Sequence, residues 1–241
     1  MEWLIRLLGG IWWWLLPVRR NEAVESYRLC FPRREPAELR RSVGEMVVQY
    51  AELAAGRRAV IEMPPELEKG GIVLAGHGGA WDIAMVSLAE RLPVTVFLRR
   101  PSGRLARAAV EELRGRAGIE ALYGRGVMDR AYRALGEGRV VIFVQDQRHA
   151  DGISAKFFGR SCLTSPAFGA MAWRSRAPLY GAWQWREDGK HRCRIEALGW
   201  AVPEDRDQAV RVLTQATQDF YQEQISRRPY SWLWLHRRWK A

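Results

Sequence analysis

The stretch from Gly71 to Ala84, GIVLAGHGGAWDIA, separates His77 and Asp82 by four residues directly after an apolar run. A histidine can take a proton from a hydroxyl when a carboxylate accepts from its other ring nitrogen, because the carboxylate fixes the tautomer and stabilises the imidazolium. We therefore interpret His77 as a general base and Asp82 as its orienting partner. The alternative is a structural histidine beside an aspartate that caps a helix.

The elements around this pair suit a catalytic turn. Gly71 to Ala75 predicts a buried strand, and Ala80 to Glu90 predicts a helix. Gly78 and Gly79 allow a tight turn between them. α/β enzymes place their chemistry at such strand-to-helix turns.

Further apolar runs, Val94 to Leu98 and Val140 to Val144, alternate with helical segments. This alternation predicts an α/β fold, a mainly parallel sheet flanked by helices. Because carboxyl ends of parallel strands gather at one edge, Arg100 and Asp146 could converge with His77 there, Arg100 as a phosphate clamp. A solvated arginine and a capping aspartate are the alternatives.

Three more helices and a hairpin complete the predicted elements. The helices cover residues 21–29, 36–55 and 204–227, and in the second an apolar stripe is expected to face the core: Val43, Met46, Val47, Tyr50 and Leu53. Asp188 and Gly189 predict a hairpin turn between two apolar runs. We expect that antiparallel pair to close one edge of the sheet.

The segment FFGR, Phe157 to Arg160, precedes a helix start that we predict at Thr164. Its two phenylalanines suit the core, and they also suit a wall against a fatty chain.

Length and composition favour one domain. The chain has 241 residues, 48% of them hydrophobic, so it can bury a full core. We predict a single domain over residues 21–241 and an appendage over residues 1–20. The widely spaced Cys30, Cys162 and Cys193 indicate a reducing compartment, with no disulfide framework and no metal site. Cys162 lies near a motif, but no base accompanies it in the sequence.

The net charge of +11 calls for an anionic partner, either nucleic acid or anionic lipid. The first 18 residues contain four tryptophans with arginines at their flanks, which is typical of a membrane-interface anchor. Their uncharged run, Leu7 to Val18, is shorter than the roughly 20 residues of a spanning helix. A signal peptide and a buried helix remain the alternatives.

Five segments, in order, resemble the bacterial late lipid A acyltransferases and the related phosphatidylinositol mannoside acyltransferases. GHGGAWD is similar to the family's GHFGNWE, and Arg99 to Pro101 to its arginine-proline step. VQDQ with FFGRSCLTSP, the terminal WLWLHRRWK, and Asn21 with FPRRE resemble the other segments. The family usually has glutamate where Asp82 stands; aspartate is typical of the wider lysophospholipid acyltransferases, which leaves the acceptor open.

The resemblance implies a glycerolipid-acyltransferase-like fold at the cytoplasmic face of the bacterial inner membrane, bound peripherally or monotopically. It implies transfer of a fatty acyl group from acyl carrier protein or coenzyme A to a lipid hydroxyl, without a further cofactor. His77 would be the base, Asp82 its partner and Arg100 the phosphate-binding residue. The remaining substrate-binding positions would be Gly78, Gly79, Asp146, Phe158, Gly159 and Thr164.

We expect the acceptor hydroxyl, deprotonated by His77, to attack the thioester, with backbone amides near Gly78 and Gly79 or Arg100 stabilising the oxyanion. The partners would be the thioester carrier and an anionic membrane lipid, with no nucleic acid. A non-catalytic, basic membrane-surface or nucleic-acid-binding protein is the competing interpretation. A lipid-ester hydrolase would need a G-x-S-x-G elbow, which the sequence lacks.

Overall fold

A computed structural model of the chain describes residues 2–97, 108, 111–112, 114–124 and 126–239. Its centre is a sheet of seven strands: β1 (Ala59–Glu62), β2 (Gly71–Ala75), β3 (Val94–Phe97), β4 (Glu120–Leu122), β5 (Val140–Val144), β8 (Leu179–Glu187) and β9 (Lys190–Ala197). Their order in the sheet is β1-β9-β8-β2-β5-β3-β4, and all neighbours run parallel except β8 and β9. The predicted mainly parallel sheet is thereby confirmed.

Helices cover both faces of this sheet. They are α1 (Glu2–Trp14), α2 (Arg20–Cys30), α3 (Glu38–Ala54), α4 (Trp81–Ala89), α5 (Val127–Gly136), α6 (Ala167–Ser175) and α7 (Arg206–Arg227), with 3₁₀ turns at Pro65–Lys69 and Pro229–Ser231. The central strand β2 is buried along its whole length, as expected for a parallel strand covered on both sides. The helices predicted over residues 21–29, 36–55, 80–90 and 204–227 all occur, with ends shifted by up to two residues.

The predicted hairpin exists, but it does not close the sheet. Asp188 and Gly189 have φ of 49° and 72°, the left-handed pair that a two-residue hairpin turn requires. The edge position belongs to β1, which pairs in parallel with β9. Because β1 has only four residues, alternately half-buried and exposed, it gives a weak apolar signal in the sequence.

A second hairpin replaces the helix start predicted at Thr164. Strands β6 (Ile153–Phe157) and β7 (Arg160–Thr164) pair antiparallel, with Ile153 opposite Thr164. Phe158 and Gly159 form the turn between them with φ of 49° and 72°. Thr164 therefore ends a strand, and α6 begins at Ala167.

Helix α1 packs closely on α3. A side chain at Gly9 would lie 2.0 Å from the Arg40 carbonyl oxygen, and one at Gly44 would lie 2.1 Å from that of Ile5, so only glycine permits this approach.

The apolar stripe predicted on α3 is partly wrong, because Val47 and Tyr50 are exposed. In the described part of the chain, no helix has both the length and the apolar character needed to span a bilayer.

Candidate active site

His77 lies in the turn between β2 and α4, at the carboxyl edge of the sheet. Gly79 adopts a φ of 49°, and a Cβ added at Gly78 would lie 2.8 Å from the Trp183 ring. The turn therefore depends on both glycines: one for its backbone angle and the other for its contact with the indole beneath.

Asp146 holds His77 at two points. Its Oδ1 lies 2.8 Å from the imidazole Nδ1, and its Oδ2 accepts the backbone N–H of His77, also at 2.8 Å. Asp146 follows β5, whose last residue, Val144, pairs with Ala75 at the end of β2. The convergence of Asp146 with His77, expected from parallel strand ends, is thus confirmed.

Burial and charge act together on this pair. Burial disfavours the imidazolium, but the Asp146 carboxylate outweighs burial and raises the pKa of His77 above its ordinary value. Burial also disfavours the ionised carboxylate, yet His77 and the N–H groups around Asp146 lower the Asp146 pKa to about 2. Asp146 is therefore ionised at neutral pH.

An ionised carboxylate can only accept, so the hydrogen on the imidazole belongs on Nδ1. This leaves the Nε2 lone pair available for a proton. The side chain of His77 is 23% exposed, whereas that of Asp146 is fully buried. The Gln147 amide nitrogen lies 3.4 Å from both ring nitrogens, beyond the usual hydrogen-bond range. The arrangement is that of an oriented general base.

Asp82 does not take the orienting position predicted for it. Its Oδ1 accepts from Arg114 Nη2 at 2.8 Å, and its Oδ2 accepts from the Tyr50 hydroxyl at 3.1 Å. Asp82 still lies near enough to contribute to the raised pKa of His77. It is a buried charge neutralised by an arginine, in the first turn of α4.

Trp81 lies between His77 and the Asp82–Arg114 ion pair. Its ring lies edge-on to the His77 imidazole, 5.4 Å between centroids, and the Arg114 guanidinium lies 5.3 Å from its centroid. The Asp82–Arg114 ion pair therefore supports a wall beside the imidazole.

The segment after α7 runs along the turn that carries His77. Gly79 N–H donates to the Ser231 carbonyl, and Leu233 N–H donates to the His77 carbonyl at 3.0 Å. The Gly79 amide is therefore committed to Ser231, contrary to the expectation that it stabilises an oxyanion. The indole of Trp232 donates to Asp146 Oδ2 at 2.8 Å.

The other predicted binding residues lie in the second hairpin. The Phe158 ring packs against Phe31, which directly follows α2. Thr164 Oγ1 accepts a hydrogen bond from Arg238, and both of these residues are fully buried. No hydrogen bond or ring contact within the described ranges joins Phe158, Gly159 or Thr164 to His77. Arg100 lies outside the described residues.

Sequence reasoning missed three residues of this site, Tyr50, Arg114 and Trp232. The spacing in the sequence places Tyr50 in a core-facing stripe, and Trp232 is part of the terminal WLWLHRRWK motif. Arg114 gave no local signal, because its importance comes from a partner 32 positions away. Among the residues that the structure describes, no three His, Cys, Asp or Glu side chains come together as a metal ion would need.

The fold is α/β, and the site is a histidine–carboxylate pair at the carboxyl edge of its sheet. The family model for bacterial lipid A biosynthesis acyltransferase matches residues 61–241, and the chain belongs to that family. It is thus an acyltransferase of lipid substrates that acts in lipid biosynthesis.

Solved structures also match the chain. One of them is the 1-acyl-sn-glycerophosphate acyltransferase PlsC from Thermotoga maritima, 14% identical, with 91% of this chain and 96% of that chain covered and a TM-score of 0.39. No curated protein matches this chain significantly.

Proposed function

We propose that this protein transfers a fatty acyl group from an acyl thioester to a hydroxyl of a lipid A precursor or a related phospholipid or glycolipid. The observation that carries the proposal is the pairing of His77 Nδ1 with the buried, ionised Asp146, which leaves Nε2 to take a proton, on a side chain that is 23% exposed. Asp146, rather than Asp82, is the orienting carboxylate in this mechanism.

The reaction needs one base and no covalent enzyme intermediate. His77 Nε2 takes the proton of the acceptor hydroxyl as its oxygen attacks the thioester carbonyl carbon. The tetrahedral intermediate then collapses, the C–S bond breaks, and the imidazolium returns the proton to the departing thiolate. The Asp146 carboxylate stabilises the imidazolium while it exists.

Asp82 supports this chemistry without a hydrogen bond to His77. Its charge is held by Arg114 and Tyr50, and it adds to the field that favours the imidazolium. Arg100 is proposed as the phosphate-binding residue, on the resemblance of the arginine-proline step alone.

Exposed apolar residues at the start of the chain support membrane association. Trp3 and Trp14 are about 70% exposed, and Leu15, Leu16 and Val18 beyond α1 are similarly exposed. The opposite side of α1 buries Ile5 and Trp12 against the protein, so the exposed side faces away from it. Tryptophan and aliphatic side chains in this position insert into a bilayer interface.

The charges beside this surface favour an anionic leaflet. Arg6 is highly exposed, and Arg19 and Arg20 follow α1. Since anionic lipids line the cytoplasmic leaflet, we propose peripheral binding at the cytoplasmic face of the bacterial inner membrane. The basic surface also suits an acidic carrier, which favours acyl carrier protein over coenzyme A as donor.

The test is lipid mass spectrometry of membranes incubated with heavy-labelled acyl-acyl carrier protein or acyl-coenzyme A. Wild-type protein should yield a newly acylated lipid, and His77→Ala should lose it while binding anionic vesicles normally. If wild-type protein binds vesicles but acylates no lipid from either donor, the non-catalytic membrane-surface interpretation replaces ours.

A paired substitution tests the membrane surface. Leu15→Ser with Leu16→Ser should weaken binding to anionic vesicles by about tenfold, since each removes apolar surface from the interface. The control is Val212→Ser, an exposed apolar residue on α7. An equal loss of vesicle binding in both variants would show that the exposed apolar residues at the start of the chain are not the membrane-binding surface.

A further inference from the structure

The residues after α7 form one side of the candidate active site. Trp232 forms an antiparallel bridge with Gly78, and the hydrogen bonds on either side of it join Ser231 to Gly79 and Leu233 to His77. The backbone that carries the base is thus fixed by a segment far away in sequence.

Within this segment, Trp232 makes the contact that reaches the chemistry. Its indole N–H donates to Asp146 Oδ2 at 2.8 Å, and the ring is 1% exposed. The same oxygen accepts the His77 backbone N–H, so Oδ2 has two donors and Oδ1 is directed to the imidazole. A carboxylate held at one oxygen by two N–H groups cannot rotate about its Cβ–Cγ bond without losing both.

Trp232 is itself held from two other elements. The Ser42 hydroxyl of α3 donates to its carbonyl at 2.8 Å. The neighbouring Ser231 hydroxyl accepts from the Trp183 indole of β8 at 3.1 Å. These hydrogen bonds fix the position of Trp232 independently of Asp146, as a positioning role requires.

We propose that Trp232 is a positioning residue for the acyl transfer: its N–H holds the Asp146 carboxylate so that Oδ1 meets His77 Nδ1. This inference rests on the proposed function, in which His77 is the base. Trp232 acts through Asp146 and touches neither the thioester nor the acceptor.

The chain contains a matched control. Trp234 is 2% exposed, lies 4.7 Å from Trp232 between ring centroids, and donates its N–H to the Pro229 carbonyl instead of to Asp146. Trp232→Phe and Trp234→Phe therefore remove the same atoms from the same aromatic cluster. Only the first takes a donor from the carboxylate.

The test combines kinetics with a direct view of His77. Trp232→Phe should lower kcat by about ten- to a hundredfold with KM nearly unchanged, while Trp234→Phe should stay within about twofold of wild type. Nitrogen-15 NMR of labelled histidines, of which the chain has four, measures the His77 pKa directly after assignment with His77→Gln.

The NMR titration should move in one direction. Without the Trp232 donor the carboxylate becomes more basic, so the His77 pKa should rise by roughly half to one unit in Trp232→Phe and stay unchanged in Trp234→Phe. The other ionisable groups near the pair stay in place in both variants: Asp82, Arg114, Tyr221, His236 and Arg238.

The outcomes separate the two proposals. An unchanged His77 pKa in Trp232→Phe, or the same change in both variants, overturns the positioning role even if acyl transfer is intact. A selective change in the His77 pKa supports it even if no lipid is acylated, a result that would remove only the proposed function. If Trp232→Phe does not fold, Ser42→Ala, which loosens the Trp232 backbone, should give a smaller rise of the same sign, and no rise overturns the proposal.

Discussion

Two histidine–carboxylate contacts in this molecule have opposite properties. His77 meets Asp146 at the edge of the sheet, with its side chain 23% exposed. His191 meets Glu52 at 2.9 Å inside the protein, where Arg186 also donates to Glu52 and lies 3.3 Å from the imidazole Nε2.

The environments move the two pKa values apart. At His77 the Asp146 carboxylate outweighs burial and raises the pKa. At His191 burial, helped by the Arg186 charge, outweighs Glu52 and lowers the pKa. His191 also directs Nε2 at its carboxylate and buries Nδ1 without a hydrogen-bond partner. A carboxylate within reach does not make a base; one nitrogen must be oriented while the other reaches substrate.

The largest expected effect comes from Asp146→Asn. The amide cannot stabilise the imidazolium and can stabilise the wrong tautomer, so kcat should fall by about 10²- to 10⁴-fold. The measurement is initial rates at saturating donor, with the fold checked by circular dichroism. Asp151→Asn, an exposed aspartate of the same loop, should change little; a similar loss there would make the effect one of loop structure.

Glu52→Ala should break the other contact with a different result. It leaves the buried Arg186 without its carboxylate, so the free energy of unfolding should fall by about 3–5 kcal/mol. Turnover per folded molecule should stay within about twofold of wild type. Urea unfolding and active-site-normalised rates measure the two quantities.

The control for Glu52→Ala is Glu62→Ala. Glu62 pairs with Arg194 on the exposed edge of the sheet, where such a pair contributes about 1 kcal/mol or less. A large loss of turnover in Glu52→Ala would show that the buried cluster of Glu52, Arg186 and His191 takes part in the reaction.

The smallest expected effect is on pH dependence. Because the base must be neutral, kcat/KM should rise with pH through a pKa above the ordinary 6.5 of histidine. His191→Gln should leave this rise of kcat/KM with pH unchanged. A rise with an apparent pKa at or below 6.5, or an apparent pKa that changes in His191→Gln, would contradict the assignment of the base to His77.

The two histidines should also change the free energy of unfolding with pH in opposite directions. The raised pKa of His77 stabilises the fold below pH 6.5, and this contribution is lost as pH rises through the raised value. The lowered pKa of His191 destabilises the fold as pH falls below 6.5. Unfolding titrations of His77→Gln and His191→Gln measure each contribution by difference.

The sequence predicts the parts of the site that depend on local rules. Strand ends and glycines locate His77, and the geometry of parallel strands brings Asp146 to it. The partner of Asp82 could not be predicted this way, because Arg114 reaches it from a distant helical segment. The role of Tyr50 is hidden for a similar reason: the spacing on α3 predicts a core position and does not reveal that Tyr50 reaches Asp82, 32 positions away.

The second hairpin shows another limit. Thr164 before Ser165 and Pro166 has the composition of a helix start, and the pairing of β6 with β7 overrides it. Propensity at a single position yields to hydrogen bonds along a whole strand.

The bridge between Trp232 and the His77 turn also bears on the order in which the chain folds. Its Ser42 contact joins residues 190 positions apart, and its Asp146 contact joins residues 86 apart. Closing loops of this length is slow compared with forming helices. A refolding chain should therefore recover its helical circular dichroism before its turnover, because turnover requires these long-range contacts and the helices do not.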